Sequence, residues 1–168
     1  MMRKLLYLFS ILVGLNFSSC TEVECPLDSV VVMTCGLYDA ETKAELSIKQ
    51  TLTIKPVGKD TVLLNAAQAI KNFVLPLKVG SVRDTMLLHF TDSWGDEVVD
   101  TLFISHKNNP HFESVECPAT MFYNLTDVAY SNSKESLTPV CIDSVAVVRG
   151  LVDYYDIENI QIYLRVAP

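Results

Sequence analysis

NIQIYLRV, the stretch Asn159–Val166, alternates apolar and polar side chains without interruption. Successive side chains of a β-strand point to opposite faces, so this stretch predicts a strand with one face in a core and the other toward solvent. A helix would instead place its apolar residues three and four positions apart. The expected inward-facing residues are Ile160, Ile162, Leu164 and Val166.

The same alternation recurs along the chain and predicts about seven to nine short strands. In the run Phe73–Val79, Pro76 indicates an edge strand or a bulged strand because proline cannot donate a hydrogen bond to a neighbouring strand. Turns rich in Gly, Pro, Asn and Asp separate the strands. The predicted fold is all-β, an immunoglobulin-like antiparallel β-sandwich. The other predicted strands are Val30–Tyr38, Leu46–Ile54, Thr85–Phe90, Asp100–His106, Ala119–Tyr130 and Ile142–Val148.

Two segments between the strands carry other predictions. Asn65–Asn72, with the sequence NAAQAIKN, is predicted to form a helical turn capped by its first asparagine. Lys107–Pro110, with the sequence KNNP, is predicted to be a turn because asparagine and proline favour one.

The first twenty residues have the pattern of an export signal that ends in a lipidated cysteine. Met1–Lys4 is short and positively charged, and the apolar run Leu5–Leu15 is shorter than the roughly 20 residues of a membrane span. Two serines directly precede Cys20, which resembles the lipobox that signal peptidase II cuts. Residues 1–19 are therefore predicted to be a signal peptide, and Cys20 the lipidated first residue of the mature chain. The alternative is a plain secretory signal cut nearby, with Cys20 left as a thiol.

Lipidation of Cys20 would anchor the protein to a membrane. Two or three chains such as palmitate hold a protein stably, whereas a single chain binds only marginally. Residues 20–28 are then a lipidated tether, and residues 29–168 form one domain because no linker or repeat divides them. The predicted location is the cell envelope, with the outer membrane favoured and the leaflet left open.

Charge and length narrow the class of protein further. The precursor carries a formal net charge of −7 over 168 residues. Removal of residues 1–19, which contain Arg3 and Lys4 and no acid, leaves 149 residues with a net charge of −9. A chain of this length can bury a core of its own, and its negative charge opposes binding to nucleic acid. No nucleic-acid partner is therefore predicted.

Four cysteines remain after Cys20, and an even number in an exported domain predicts two disulfides. An extended strand between Cys25 and Cys35 would hold them roughly 30 Å apart, whereas bonded Cα atoms lie within about 7 Å. Cys117 and Cys141 begin two successive strands and are expected at opposite ends of the sheet. The favoured pairing is Cys25–Cys117 with Cys35–Cys141, and the alternative is Cys25–Cys141 with Cys35–Cys117.

The candidate binding residues lie in two loops. Asp92, Trp94 and Asp96 belong to a hairpin whose spacing does not match a calcium-binding loop. Tyr154 and Tyr155 belong to the last predicted hairpin. An exposed Trp94 could stack on a sugar, whereas a buried one would cap the core, and the second interpretation is favoured.

The histidines and the catalytic motifs point away from an enzyme. His106, the last residue of its predicted strand, and His111 are predicted to border a loop, and their spacing across a proline fits no zinc site. His89 is predicted to lie on the outer face of its strand. The chain has no Gly-x-Ser-x-Gly, no His-Glu-x-x-His and no Gly-rich phosphate loop. We therefore expect no catalytic residue, no metal and no cofactor.

Short motifs spread over the mature chain carry a resemblance. They are Glu24-Cys25-Pro26, Leu75-Pro76-Leu77, Asp100-Thr101-Leu102, Ser105-His106, Pro110-His111-Phe112-Glu113-Ser114, Ile142-Asp143-Ser144-Val145 and Glu158-Asn159-Ile160. Together they resemble a family of Bacteroidales lipoproteins known only as a domain of unknown function. The resemblance implies an exported all-β domain, and it implies no active site because the family has none to transfer.

These observations favour a non-enzymatic binding or accessory domain of the cell envelope, with a protein or a glycan as its partner. The alternative is a small envelope hydrolase or a metal-dependent enzyme on the same scaffold. Converging titratable groups in a pocket would favour the enzyme. An exposed Trp94 beside other aromatic rings would favour a glycan partner.

Overall fold

The computed structural model describes Cys25, residues 30–132 and residues 140–166. The described chain forms ten β-strands and no helix, and so has no helix that could cross a membrane. The signal and Cys20 lie outside the described residues. The strands are β1 (Val32–Asp39), β2 (Thr51–Pro56), β3 (Leu64–Ala67), β4 (Asn72–Pro76), β5 (Arg83–Thr91), β6 (Glu97–His111), β7 (Thr120–Ser131), β8 (Val140–Val147), β9 (Leu151–Val152) and β10 (Glu158–Val166).

The strands form two sheets, which confirms the predicted β-sandwich. One sheet has four strands in the order β4-β1-β10-β8, and the other has six in the order β3-β2-β5-β6-β7-β9. Neighbouring strands are antiparallel except β1 and β10, which pair in parallel. Strand β4 lies at an edge of its sheet, as Pro76 predicted.

The core lies between the sheets and contains the inward-facing residues of the alternating runs. Ile160, Ile162 and Leu164 of β10 are fully buried, as predicted, whereas Val166, the fourth residue predicted to face inward, is 37% exposed at the end of the strand. Burial of such a side chain contributes about 1.5–3 kcal/mol to the free energy of folding. Asn159 is buried as well, because its amide accepts a hydrogen bond from the Thr34 N–H at 3.1 Å and donates to two backbone carbonyls.

The predicted helical turn over Asn65–Asn72 is wrong. Its first half belongs to β3, which pairs with β2, and the N–H of Ala66 donates to the Thr53 hydroxyl at 3.0 Å. Ala66 and Ala69 have φ angles of 44° and 51°. These angles fall in the left-handed region, which a right-handed helix cannot contain.

The predicted turn at Lys107–Pro110 is also wrong, because β6 continues through it to His111. Strand β5 pairs with β6 only as far as Ser105, so the last part of β6 pairs with β7 alone. One side of this extension is an edge, where proline is tolerated because no partner needs its N–H.

The two ends of the sandwich carry different loops. At one end β1 begins and β4 ends, since Val32 lies opposite Pro76. The β2–β3, β4–β5, β6–β7 and β9–β10 loops lie at the same end, which we call the tether end. The opposite end carries the β5–β6 turn, residues 92–96, and we call it the hairpin end.

A disulfide joins Cys25 to Cys117 in the β6–β7 loop, with the Cα atoms 5.5 Å apart. The first of the two favoured disulfides is therefore present. It fastens the segment before β1 to the tether end of the six-stranded sheet, across both layers of the sandwich.

The second favoured disulfide, Cys35–Cys141, is wrong, because both residues are buried free thiols. Strand β10 lies between their strands, with Ile160 opposite Cys35 and Arg165 opposite Cys141. Two strand spacings and five residues of β10 place the cysteines roughly 19 Å apart, well beyond the reach of a disulfide. Burial, followed by the charge of Glu158, raises the pKa of the Cys35 thiol well above its ordinary value, so this thiol is unreactive.

Candidate functional site

Trp94 is the most exposed aromatic side chain of the described residues, with 88% of its surface accessible, so the predicted capping of the core is wrong. Hydrogen bonds within the turn explain its position. The Asp92 carboxylate accepts from the backbone N–H groups of Trp94 at 2.8 Å and Asp96 at 2.9 Å. Gly95 has a φ of 91°, which favours glycine. The turn therefore satisfies its own polar groups and holds the indole outside the core.

The hairpin is also acidic. Residues 91–97 contain Asp92, Asp96 and Glu97, and they contain no lysine or arginine. The Glu97 carboxylate lies 2.9 Å from Nδ1 of His89, which is on the outer face of β5 as predicted. The hairpin thus combines an exposed indole with a surface of negative potential.

The candidate binding residues fall into two separate groups. Trp94 and its two aspartates lie at the hairpin end, whereas Tyr154 and Tyr155 follow β9 near the tether end. Strand β6 runs between the groups, and Asn108 lies level with β9. The segment from Glu97 to Asn108 spans roughly 35 Å at ~3.3 Å per residue. The two loops therefore cannot form one binding site.

The two tyrosines differ in their surroundings. Tyr154 packs edge-on against Phe122, with ring centroids 4.9 Å apart, and Phe122 stacks on His111 at 4.4 Å. His111, predicted to be in a loop, is the last residue of β6 and lies 3.2 Å from the Glu113 carboxylate. Tyr155 is 67% exposed. Tyr154 is thus part of a packed aromatic cluster, and Tyr155 is the accessible member of the pair.

A pocket of about 430 Å³ opens at the tether end, between the β2–β3 and β4–β5 loops. Its lining includes Lys59, Lys78 and Asp84 beside apolar residues. The Asp84 carboxylate accepts from the Lys78 N–H at 2.8 Å and lies 3.1 Å from Nε2 of His106. His106 was predicted to border a loop, but it is 1% exposed. It continues the alternation of Leu102 and Ile104 in β6, and this continuation was the signal that could have placed it in the core.

The pairing of Asp84 with His106 resembles the acid and base of a hydrolase, yet the imidazole is enclosed. Its Nδ1 is buried and has no hydrogen-bond partner among the described residues. Tyr123 packs edge-on against it, with ring centroids 5.1 Å apart, and donates a hydrogen bond to the Leu77 carbonyl at 3.0 Å. Burial, followed by the Asp84 charge, raises the pKa of Tyr123, so this phenol stays protonated. A general base must reach its substrate, and His106 does not.

The main effect of this buried pair is therefore to fasten the β4–β5 loop. The backbone N–H of His106 donates to the Val82 carbonyl at 3.0 Å, while the Asp84 carboxylate accepts a hydrogen bond from the backbone N–H of Lys78. One end of the loop, Val82, is therefore bonded directly to β6, and the other end, Lys78, is linked to β6 through Asp84 and the His106 ring. Elsewhere too, no three metal-ligating side chains come together within the part of the chain that the structure describes.

The fold and the site define a two-sheet β-sandwich domain with an exposed acidic hairpin at one end and a pocket and aromatic cluster at the other. The chain belongs to the family of unknown function DUF6452, whose model matches residues 51–164, more than half of the sequence. The predicted resemblance to a domain of unknown function is confirmed at this level. The chain matches no curated protein and no solved structure.

Proposed function

We propose that the protein is a lipid-anchored, non-enzymatic binding protein of the cell envelope that holds a protein partner at the Trp94 hairpin. The leader that ends at Cys20 supports export and anchoring. The Cys25–Cys117 disulfide supports the same compartment, because such bonds persist in oxidising environments and are rare in the cytoplasm. The resemblance to Bacteroidales lipoproteins and the leader together favour the outer membrane.

The observation that carries the binding proposal is the 88% exposure of Trp94 on a turn that is closed by hydrogen bonds to Asp92. Tryptophan is enriched among the residues that dominate binding energy at interfaces. The turn is preorganised by the Asp92 carboxylate, so little conformational entropy is lost when a partner covers the indole.

The charge of the hairpin favours a cationic protein surface over a glycan. A Lys or Arg placed over the indole gains about 0.5–2 kcal/mol from the cation–π interaction, and Asp92, Asp96 and Glu97 attract the same charge. A glycan partner would be favoured by several aromatic rings side by side. In the described chain no aromatic ring packs against Trp94.

The Trp94 hairpin is testable with a matched pair of variants, because the chain exposes a second aromatic side chain at its other end. The native lipoprotein, Trp94→Ala and Tyr155→Ala are each used to capture proteins from envelope membranes after cross-linking. We expect Trp94→Ala to lose a partner that Tyr155→Ala retains. Equal capture by all three proteins would contradict the proposed site.

The glycan alternative has its own readout. Trp94 is the only tryptophan, so its fluorescence reports on the hairpin alone. A saturable shift of its emission with neutral oligosaccharides, in place of a captured protein, would assign the hairpin to a glycan.

A small hydrolase is the second candidate, and the Asp84–His106 pair is the observation that favours it. The enclosure of His106 argues against it, since no solvent reaches the imidazole. Hydrolysis of envelope-derived esters or glycosides that is lost in His106→Gln, with the fold retained, would reverse this ranking.

A further inference from the structure

The exposed apolar side chains of the described residues are concentrated at the tether end. Val115 is fully exposed, and Phe112 and Tyr155 are 65% and 67% exposed. Trp94 apart, the described hairpin-end loops expose no large apolar side chain to a comparable extent. Large exposed apolar patches mark contact with a protein or a membrane. The tether-end set is Val57, Val62, Val79, Val82, Phe112, Val115, Val148, Tyr155 and Ile157.

The length of the tether indicates which surface covers this end. Cys25 is bonded to Cys117, two residues from Val115. Five residues lead back from Cys25 to Cys20, and they can span at most about 18 Å. The lipid of Cys20 sits in the hydrocarbon core, beneath a headgroup layer roughly 5–8 Å thick. The β6–β7 loop therefore cannot lie much more than about 13 Å above the headgroups.

We propose that the tether end rests on the membrane that holds the lipid, with Phe112, Val115, Tyr155 and Ile157 inserted among the headgroups. The inference depends on the lipid anchor of the proposed function. Tyrosine and phenylalanine suit this position, because aromatic side chains lie favourably at the boundary between water and lipid. The Trp94 hairpin then points away from the membrane, toward its partner.

The charges of the tether end indicate how it is held. Glu113 and Glu116 each follow an exposed apolar residue of the β6–β7 loop, while Lys59 and Lys78 line the nearby pocket. A face with both signs of charge gains little from anionic headgroups. Apolar insertion is then the main attachment, and it is insensitive to salt because screening acts only on charges.

The test moves the single tryptophan. Full-length lipoprotein is reconstituted in phosphatidylethanolamine–phosphatidylcholine vesicles with or without brominated acyl chains, which quench a nearby indole. The variants are Trp94→Phe/Phe112→Trp and Trp94→Phe/Tyr155→Trp, and the wild type is the control. We expect several-fold stronger quenching in both double variants than in the wild type, at low and at high salt. The Tyr155→Trp variant reports on the same face should Phe112→Trp disturb its loop.

Fatty-acid labelling and vesicle co-sedimentation of the same samples separate the outcomes. A chain that carries no label and does not co-sediment would overturn the anchor and this inference together. A labelled, sedimenting chain whose introduced indoles are quenched no more than Trp94 would overturn this inference alone. Quenching of Trp94 itself would place the hairpin at the membrane and overturn it as well. The inference would also be overturned if a protein cross-links to the tether end of the wild type but not to that of Tyr155→Asp, while both introduced indoles remain unquenched.

Discussion

Replacement of Asp84 by alanine tests whether the buried Asp84–His106 pair is structural. The substitution removes the acceptor of the Lys78 N–H and of Nε2 of His106, at 2.8 and 3.1 Å. A buried donor left without a partner costs about 1–3 kcal/mol, so two such donors cost about 2–6 kcal/mol. The total stability of such a domain is typically about 5–15 kcal/mol, so the loss is large.

The assay is chemical denaturation followed by circular dichroism. Trp94 fluorescence is a poor probe of unfolding here, since the indole is already exposed in the folded protein. The matched control is Glu97→Ala, which removes the half-exposed carboxylate that pairs with His89 on the same sheet. We expect that control to cost at most about 1 kcal/mol. Equal stabilities of Asp84→Ala, Glu97→Ala and the wild type would refute the structural interpretation of the pair.

Three further predictions concern other parts of the fold. Cys25→Ser with Cys117→Ser should lower the free energy of unfolding by about 2–5 kcal/mol, because the bond spans 92 residues; a melting temperature unchanged by reductant would contradict this. Ile162→Ala should cost about 2–5 kcal/mol in urea titrations, since that side chain is fully buried; a cost under ~1 kcal/mol would mean that it is not in the core. The Arg149 guanidinium lies 2.7 Å from the Asp153 carboxylate and lowers its pKa. The ion pair therefore stabilises the fold at pH values above the ordinary carboxyl pKa. This stabilisation is lost as the pH falls through the lowered pKa of Asp153. In Asp153→Asn the free energy of unfolding should therefore fall less steeply below pH ~4 than in the wild type. The same pH dependence in both proteins would contradict the pairing.

The fold class was predictable because apolar and polar residues alternate in the sequence wherever a strand has one buried face. In β5, Met86, Leu88 and Phe90 are buried as their spacing indicates. The length of β6 was not predictable in this way. Its last residues look like a turn, and they are extended only because β7, far along the chain, pairs with them on one side. The composition of residues 107–110 contains no information about that distant partner.

The site was less predictable, because it depends on topology and on local hydrogen bonds. Nothing in the spacing of Cys35 and Cys141 reveals that β10 lies between their strands. The separation of Trp94 from Tyr155 was not predictable for a related reason, since sequence patterns do not say at which end of a sandwich a loop lies. The exposure of Trp94 follows from the way that Asp92 closes its own turn. Residue type alone predicted a buried ring.

Lipidation of Cys20 underlies both the proposed anchor and the proposed contact of the tether end with the membrane. Cells that express the wild type, Cys20→Ala or the control Cys25→Ala are grown with a clickable fatty-acid analogue, and the purified proteins are compared after alkaline and thiol treatment. We expect label on the wild type and on Cys25→Ala, and an unlabelled Cys20→Ala protein that is unprocessed or released from the membrane. Label retained by Cys20→Ala, or absent from the wild type, would contradict the lipidation of Cys20.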